Sequence, residues 1–374
     1  MEHPVERRPL LALSLAVASA SLLAAEARGL SPLHVISSVV KDVRTWSLLA
    51  SISLTMAMGG LYRESELARE LASELRALFK SGRAVLFAVA AVFGLLPMPG
   101  GALLSAPLVD EEGKRMGMSK EDIALANIWF RHVVFLVFPL TPSFLLAHTI
   151  AEVSIYHIAA FQTPVFILSS AIGLARFRGY SEPPATTPSF NPAKLLLLLA
   201  PIASAVLLGL AGIPVPAAIL AGVAILVLVS HPNRRQLANV ASFALSPHVL
   251  TLVLSSLMLR RSLGGLSLEV SIPSYLYIPC ASATAATLAL IAGSPLAAVG
   301  ATLPVFAGHG SLPLASLIIV SAWAGYLCSP LHLCSILTSS YVNSSLKELI
   351  KDVAKLTLPT LLTAIAQVAI ALAA

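Results

Sequence analysis

The chain has 374 residues, of which 57% are hydrophobic and 11% are charged, with a mean hydropathy of +0.87 and a net charge of +6. Soluble domains carry about 25% charged residues, so this composition excludes an ordinary soluble domain and predicts an all-α, polytopic membrane protein. Basic loops facing anionic lipid account for the net charge, and no basic patch interleaved with aromatic residues indicates a nucleic-acid partner.

The chain begins with two predicted membrane crossings and a surface helix. The apolar runs 10–25 and 45–62 read as crossings, and the polar connection 28–44 between them holds a short helical pattern. Between residues 63 and 83, leucines recur every three or four positions among charges, which is typical of an amphipathic helix at a membrane surface. The basic residues of that helix and of Arg7-Arg8 predict a multi-pass protein of the cell membrane with a cytoplasmic N-terminus.

The next segment joins a short apolar run to residues that cannot easily continue a helix. A helix from residue 83 to Leu96 would be about 21 Å long, whereas the hydrocarbon core is about 30 Å thick. Two prolines, Pro99 among them, and the pair Gly100-Gly101 then interrupt it. We predict a re-entrant hairpin over 83–107 whose second helix turns free backbone N–H groups inward. A proline-kinked full crossing is the alternative.

A second interrupted helix follows a charged loop at 110–122. Ser119 is placed to cap a helix that runs through residues 127–132, and the two prolines of 139–142 then break the apolar sequence. The run 155–174 completes this part of the chain as another crossing.

A linker rich in Pro, Ser and Thr divides the chain into two parts. It occupies residues 179–193, so the predicted repeats are 1–178, with the hairpin 83–107, and 194–374, with a second hairpin at 274–304.

The second repeat contains crossings at 194–210, 213–230 and, after a basic loop at 231–239, a short one at 246–259. A polar lysine-rich segment precedes the last crossing, 356–374.

The two repeats share one order of elements. Each has crossings, a broken apolar pair, a helix with a tryptophan and a proline break, and a final crossing; Thr141-Pro142 corresponds to Ser329-Pro330, and Trp129 to Trp323. Counting crossings from the loop charges, the two hairpins open to opposite sides if 246–259 crosses fully, which makes an inverted repeat. Paired interrupted segments of this kind indicate the binding site of a transporter.

The candidate binding residues lie near the breaks. They are mainly hydroxyl, amide and imidazole side chains, which suit a bound Na⁺ or a proton carried on histidine, while intramembrane carboxylates are nearly absent. The sequence suggests no cofactor beyond Na⁺ as a coupling ion, and the three cysteines read as small core residues. The predicted substrate-binding residues are Pro99, Gly100, Gly101, Ser105, Asn127, Arg131, Thr141, Ser294, Ser329, His332 and Thr338.

Arg131 and His132 admit two interpretations. A charged side chain within a membrane protein is a functional hypothesis, so both could contact substrate or the hairpin tip. Alternatively, both could anchor the helix at the membrane interface. His332, beside a proline break, is placed to line a cavity, and Asn127, one turn from Arg131, could bond the hairpin or simply another helix.

Three motifs resemble a known membrane family. The segments LPMPGGALLSAPLVD (96–110), NIWFRH (127–132) and GYLCSPLHLC (325–334) resemble the archaeal and bacterial family called domain of unknown function 401. That family is similar to the ion-transporter superfamily of gluconate, citrate, lactate and dicarboxylate carriers. The resemblance implies an elevator-type secondary transporter, dimeric, with two re-entrant hairpins.

The function predicted from the sequence is therefore secondary transport of a small organic anion driven by Na⁺ or H⁺. A passive channel or a structural membrane protein is the alternative. An intramembrane enzyme is disfavoured because no HExxH, no GxSxG with a partner base and no intramembrane aspartate pair is present.

Overall fold

The computed structural model describes residues 4–79, 81–96, 101–180, 189–263, 274–306 and 311–373. Over these residues the regular structure is helical, with no strand. The helices are α1 (Pro4–Ala27), α2 (Pro32–Lys41), α3 (Val43–Glu64), α4 (Leu67–Leu78), α5 (Gly82–Gly94), α6 (Ala102–Arg115), α7 (Lys120–Val133), α8 (Pro142–Ala151), α9 (Ile155–Arg176), α10 (Pro192–Leu210), α11 (Val215–Ser230), α12 (Arg234–Ala244), α13 (Pro247–Leu263), α14 (Ser274–Ala292), α15 (Pro295–Phe306), α16 (Leu312–Leu327), α17 (Leu333–Val342) and α18 (Leu346–Ala373). A short 3₁₀ turn, Val134–Leu136, follows α7.

Several of these helices are suited to lipid. Among the described residues, α9, α10, α18 and the pair α12–α13 are long and apolar enough to cross a membrane, and α1 with α2 would add a fifth span bent by 117°. Leu196, Leu228 and Ile370, on outer faces, are 70%, 70% and 71% exposed. Apolar side chains exposed on this scale match a hydrocarbon environment rather than water. The chain is an integral membrane protein.

The predicted helix breaks are present where the local sequence dictates them. The Ser119 side chain accepts a hydrogen bond from the Asp122 N–H at 3.1 Å and begins α7, as expected. The backbone leaves the helix before Pro142, where Thr141 caps α8, and again at Ser329 between α16 and α17. Pro142 and Pro330 lack the N–H that a continuing helix needs, so the preceding helix ends and a new one begins, at Pro142 and after His332.

The prediction of a loop at 110–122 is wrong for the first half of this segment. Helix α6 continues to Arg115 with Pro107 inside it, so the second arm of the predicted hairpin 83–107 is longer than expected. Lys114 bonds Asp110 at 2.7 Å and Arg115 bonds Glu112 at 3.0 Å, spacings of four and three residues that stabilise a helix.

Three boundaries in the second half also differ. The expected basic loop 231–239 contains the start of α12, which Asn233 and Gln236 cap reciprocally. Helix α15 passes through Pro304 to end at Phe306. The lysine-rich segment and the last crossing form one helix, α18. Residues 181–188 of the predicted linker lie outside the described residues.

The centre of the molecule is formed by the broken helices of both halves. Helices α6 and α7 pack against α17, and α15 and α16 pack against α8. The indole rings of Trp129 on α7 and Trp323 on α16 meet edge to face, with centroids 5.8 Å apart. The core therefore lies at the junction between the halves.

Two glycines allow unusually close packing of neighbouring helices. A Cβ on Gly94 would collide with the Arg131 carbonyl oxygen, and one on Gly325 would collide with the Ala286 carbonyl oxygen. Because carbonyls belong to the backbone, the neighbour cannot move aside as a flexible side chain could. The pairs α5–α7 and α14–α16 thus pack with backbone against backbone.

Candidate functional site

Helix α7 brings three polar side chains into the core. Asn127, Arg131 and His132 are each buried to 1% exposure or less. Asn127 and Arg131 are four residues apart and lie on one helix face, and His132 follows at the end of the helix. Nothing along this face reaches water, so every polar atom on it needs a protein partner or a ligand.

The break before α17 supplies the facing side chains. Ser329 Oγ donates to the Leu290 carbonyl at 2.6 Å and accepts from the Leu331 N–H at 3.1 Å, which fixes the turn. Helix α17 then begins after His332, and Ser335 and Thr338 follow at three-residue intervals. That spacing places all three on adjoining positions of one helix face.

The two histidines form a direct hydrogen bond across the junction. His132 Nε2 and His332 Nε2 are 3.2 Å apart. His132 Nδ1 lies 2.7 Å from the Ile128 carbonyl oxygen, and since a carbonyl only accepts, this nitrogen carries the proton. His132 Nε2 must then accept from His332 Nε2–H, and His332 Nδ1 accepts from Ser335 Oγ at 2.9 Å. These bonds are satisfied with Nδ1–H on His132 and Nε2–H on His332, and the Leu327 carbonyl also faces the His332 ring.

Arg131 is a buried cation without an ionic partner. The residue is 1% exposed, and its Nε and Nη1 atoms have no hydrogen-bond partner. Cys334 and Tyr326 lie beside the guanidinium, but no carboxylate of the described residues pairs with it. An unpaired buried cation costs several kcal/mol. A buried guanidinium whose Nε and Nη1 atoms lack acceptors is suited to bind an anion, such as a carboxylate, that offers an oxygen to either atom.

Asn127 joins the two halves of the site. Its amide nitrogen donates to Thr338 Oγ1 at 2.9 Å and lies 3.4 Å from the Ala102 carbonyl oxygen, at the start of α6. Its Oδ1 atom is buried and has no partner. The beginning of α6, the middle of α7 and the face of α17 therefore meet at this amide, which keeps one acceptor free.

A metal ion fits this cluster poorly. The nitrogen and sulfur atoms of His132, His332 and Cys334 lie within 4.8 Å of one another, the arrangement that would otherwise suit Zn²⁺. The Arg131 guanidinium lies beside the same thiol, however, and the two Nε2 atoms are already bonded to each other. A divalent cation would add charge beside an unpaired cation, so we assign no metal site here.

A cavity of the described residues lies elsewhere. It measures about 620 Å³ and is lined by residues of α3, α8 and the α10–α11 connection, including Arg44, His148 and Glu152. Arg44 and Arg260 both pair with Glu152, at 2.7 and 2.9 Å. Unlike Arg131, these two arginines therefore each have a carboxylate partner. The cluster at the junction is closed to solvent in this conformation.

The structure brings together five of the predicted site residues. Gly101 precedes α6 and is buried beside Ala102, and Asn127, Arg131, His332 and Thr338 belong to the cluster. The burial of Arg131 and His132 excludes the alternative in which they reach out to the membrane interface.

The remaining predicted site residues either have local roles or lie outside the described residues. Ser105 bonds the Ala102 carbonyl of its own helix, and Thr141 and Ser294 accept from N–H groups at the starts of α8 and α15. Ser329 holds the turn before α17. The predicted site residues that lie outside the described part of the chain are Pro99 and Gly100.

Sequence reasoning left three members of the cluster out of the predicted site. The sequence leaves two interpretations open for His132, does not distinguish Ser335 from the other hydroxyls near the breaks, and predicts a core role for Cys334. The three-residue spacing from His332 to Ser335 and Thr338 was the available signal.

The fold and the site define the class of protein, and a comparison with known families gives its family. The apolar spans and the buried polar junction define an all-helical, polytopic integral membrane protein. The chain belongs to the family described as "Protein of unknown function (DUF401)", whose model matches residues 7–373. No curated protein matches the chain.

Proposed function

We propose that this protein is a secondary active transporter of small organic anions, driven by a gradient of Na⁺ or H⁺. The observation that carries the proposal is Arg131, a buried guanidinium whose Nε and Nη1 atoms lack partners. A carboxylate would supply the missing charge and an acceptor for one of the unpartnered N–H groups. The unused Oδ1 of Asn127 adds a hydrogen-bond acceptor for a substrate hydroxyl.

A repeat built from α5–α9 and α14–α18 supports transport by alternating access. If α5–α9 are exchanged in order with α14–α18, the contact between α6 and α17 becomes a contact between α15 and α8. In the same way, α7–α17 becomes α16–α8, and α9–α16 becomes α18–α7. All of these contacts are present. We propose that the two groups are inverted repeats with re-entrant hairpins, as in elevator-type carriers, and that the protein is a homodimer. The closed cluster would then open to one side at a time.

Uptake into proteoliposomes tests the proposal. The purified protein is reconstituted, and radiolabelled lactate, gluconate, succinate and citrate are supplied under an imposed Na⁺ or pH gradient. Saturable uptake of at least one acid, faster with a gradient than without, is the expected result. Ion current that does not saturate would indicate a channel instead. Absence of uptake, together with absence of stabilisation by any of the four acids, would contradict the proposal.

A further inference from the structure

The histidine pair lies within the same buried cluster as Arg131 but has a separate chemical capacity. His132 directly follows Arg131 in the chain, and His332 contacts His132 through the Nε2 atoms. An unpaired guanidinium can hold an anion, while a pair of imidazoles can hold an additional proton. Neither capacity is used within the protein itself.

One proton can be added to the pair without breaking the bond between the rings. The added proton goes to His332 Nδ1, and the Ser335 hydroxyl, which donates to this nitrogen in the neutral state, turns to accept. His332 becomes an imidazolium whose Nε2–H still donates to His132 Nε2. This bond then has a charged donor and is stronger than in the neutral pair.

The surroundings of the pair oppose that proton unless an anion is present. The charged or titratable groups that face it are Arg131 from α7, Tyr326 from α16 and Cys334 from α17. The other ring against His132 is Phe135, and no carboxylate among the described residues bonds either imidazole. A proton alone would therefore put two cationic groups side by side in a dry site.

We propose that the His132–His332 pair binds one proton together with the anion held by Arg131, so that H⁺ rather than Na⁺ is the coupling ion. This inference rests on the proposed function. The anion compensates the positive charge of Arg131. Its second oxygen or remaining charge stabilises the positive charge of the protonated histidine pair. Since coupling between two ligands is reciprocal, the anion raises the affinity for the proton and the proton raises the affinity for the anion.

The proposed ratio of one proton per anion fixes the size of the expected pH effect on anion binding. With one proton taken up per anion, the dissociation constant of the anion falls by up to about tenfold for each unit by which the pH is lowered, over the range in which the pair titrates. A rigid anion site without coupled histidines would show no such slope beyond the acid's own ionisation.

The test is ligand-induced thermal stabilisation of the full-length protein in detergent. Lactate, gluconate, succinate and citrate are added as potassium salts at about pH 5.5 and about pH 8, which bracket ordinary imidazole titration, and each measurement is made with and without EDTA and with and without NaCl. The variants are His132→Gln and His332→Gln. His148→Gln is the matched control, because His148 Nδ1 also bonds a carbonyl, that of Val153, but lines the separate cavity.

We expect the native protein and His148→Gln to gain stabilisation at the lower pH relative to His132→Gln and His332→Gln, in which the pH dependence should reflect only the ionisation of the acid itself. The acid's own ionisation affects all four proteins alike, so the difference between them isolates the pair. Proton uptake on binding, measured in weakly buffered solution, should approach one per anion for the native protein and vanish in either variant that remains folded.

Each contrary outcome has a distinct meaning. Binding with the same pH dependence in native protein and variants overturns proton coupling but leaves the anion transporter standing. Stabilisation that requires Na⁺ and releases or takes up no proton assigns the coupling to Na⁺. A pH dependence seen only without EDTA assigns the pair to a metal ion. Failure of all four acids at both pH values overturns the anion site itself, and the coupling with it.

Discussion

His132 Nε2 and His332 Nε2 lie 3.2 Å apart, although the two residues are separated by 200 positions in the chain. Each stands at a helix break, one at the end of α7 and the other just before α17. A contact of this kind can form only after both halves of the chain have folded against each other. The central cluster is therefore a product of tertiary structure, and its members should respond to mutation together.

Arg131→Met should abolish stabilisation by anions without lowering the melting temperature of the ligand-free protein. Replacing an unpaired buried cation by an apolar side chain of similar length removes a desolvation cost, and such changes are often neutral or stabilising. Thermal unfolding with and without each acid measures both effects. Arg69→Met is the control, since Arg69 is exposed and pairs only with Glu66. A large loss of ligand-free stability in Arg131→Met would mean that Arg131 is structural.

Asn127→Ala and Thr338→Val should be coupled. The bond from Asn127 Nδ2 to Thr338 Oγ1 is 2.9 Å long and buried, and such a bond contributes about 1 kcal/mol. In a double-mutant cycle of unfolding free energies, the second substitution should cost less by about that amount when the first is already present. Strictly additive effects would show that the two side chains do not interact in the folded protein.

Trp323→Phe should destabilise the protein by about 1–3 kcal/mol, because it leaves a buried acceptor without a partner. The Trp323 indole N–H donates to the His132 carbonyl oxygen at 2.7 Å, at the end of α7. Thermal unfolding measures the change. Trp46→Phe is the matched control: its indole also donates to a carbonyl, that of Val40, but the residue is 57% exposed and solvent can replace the bond. Equal losses in the two variants would contradict this account.

Gly94→Ala should lower stability by about 1–3 kcal/mol, since the added Cβ would collide with the backbone carbonyl of Arg131. Gly60→Ala, also within a helix, should be neutral or slightly stabilising, because its Cβ would meet only side chains at ordinary contact distances of 3.4 Å and more. Melting temperatures of both variants, measured side by side, check the prediction. A Gly94→Ala protein as stable as Gly60→Ala would show that α5 can move away from α7.

Features governed by neighbouring residues could be predicted from the sequence. The cap at Ser119 and the breaks at Pro142 and Ser329 follow from groups that act within a few positions. The charged stretch after Pro107 has the composition of a loop, but its oppositely charged residues are spaced three and four apart, which suits the helix that it forms. Strong polarity alone did not distinguish an exposed helix from a connection.

The composition of the site could be predicted only in part, for a different reason. Ser294 and Thr141 are near breaks, just as Thr338 is, but the first two bond the N–H groups at their own helix ends. Whether a hydroxyl caps a helix or faces a distant partner depends on how the halves pack, and no local pattern contains that information. Arg131 was the exception, since a charge in so apolar a setting requires explanation wherever it lies.

The contact between Gly94 and the Arg131 backbone constrains how the proposed transporter could move. A shift of α5 along α7 that placed a residue with a Cβ where Gly94 lies would cause a collision with the Arg131 carbonyl. The Arg131 guanidinium on α7 should therefore move together with α5 as one rigid unit. Access from either side of the bilayer would have to come from displacement of this whole piece against the outer helices, and a crosslink fixing α5 to α7 should leave turnover intact.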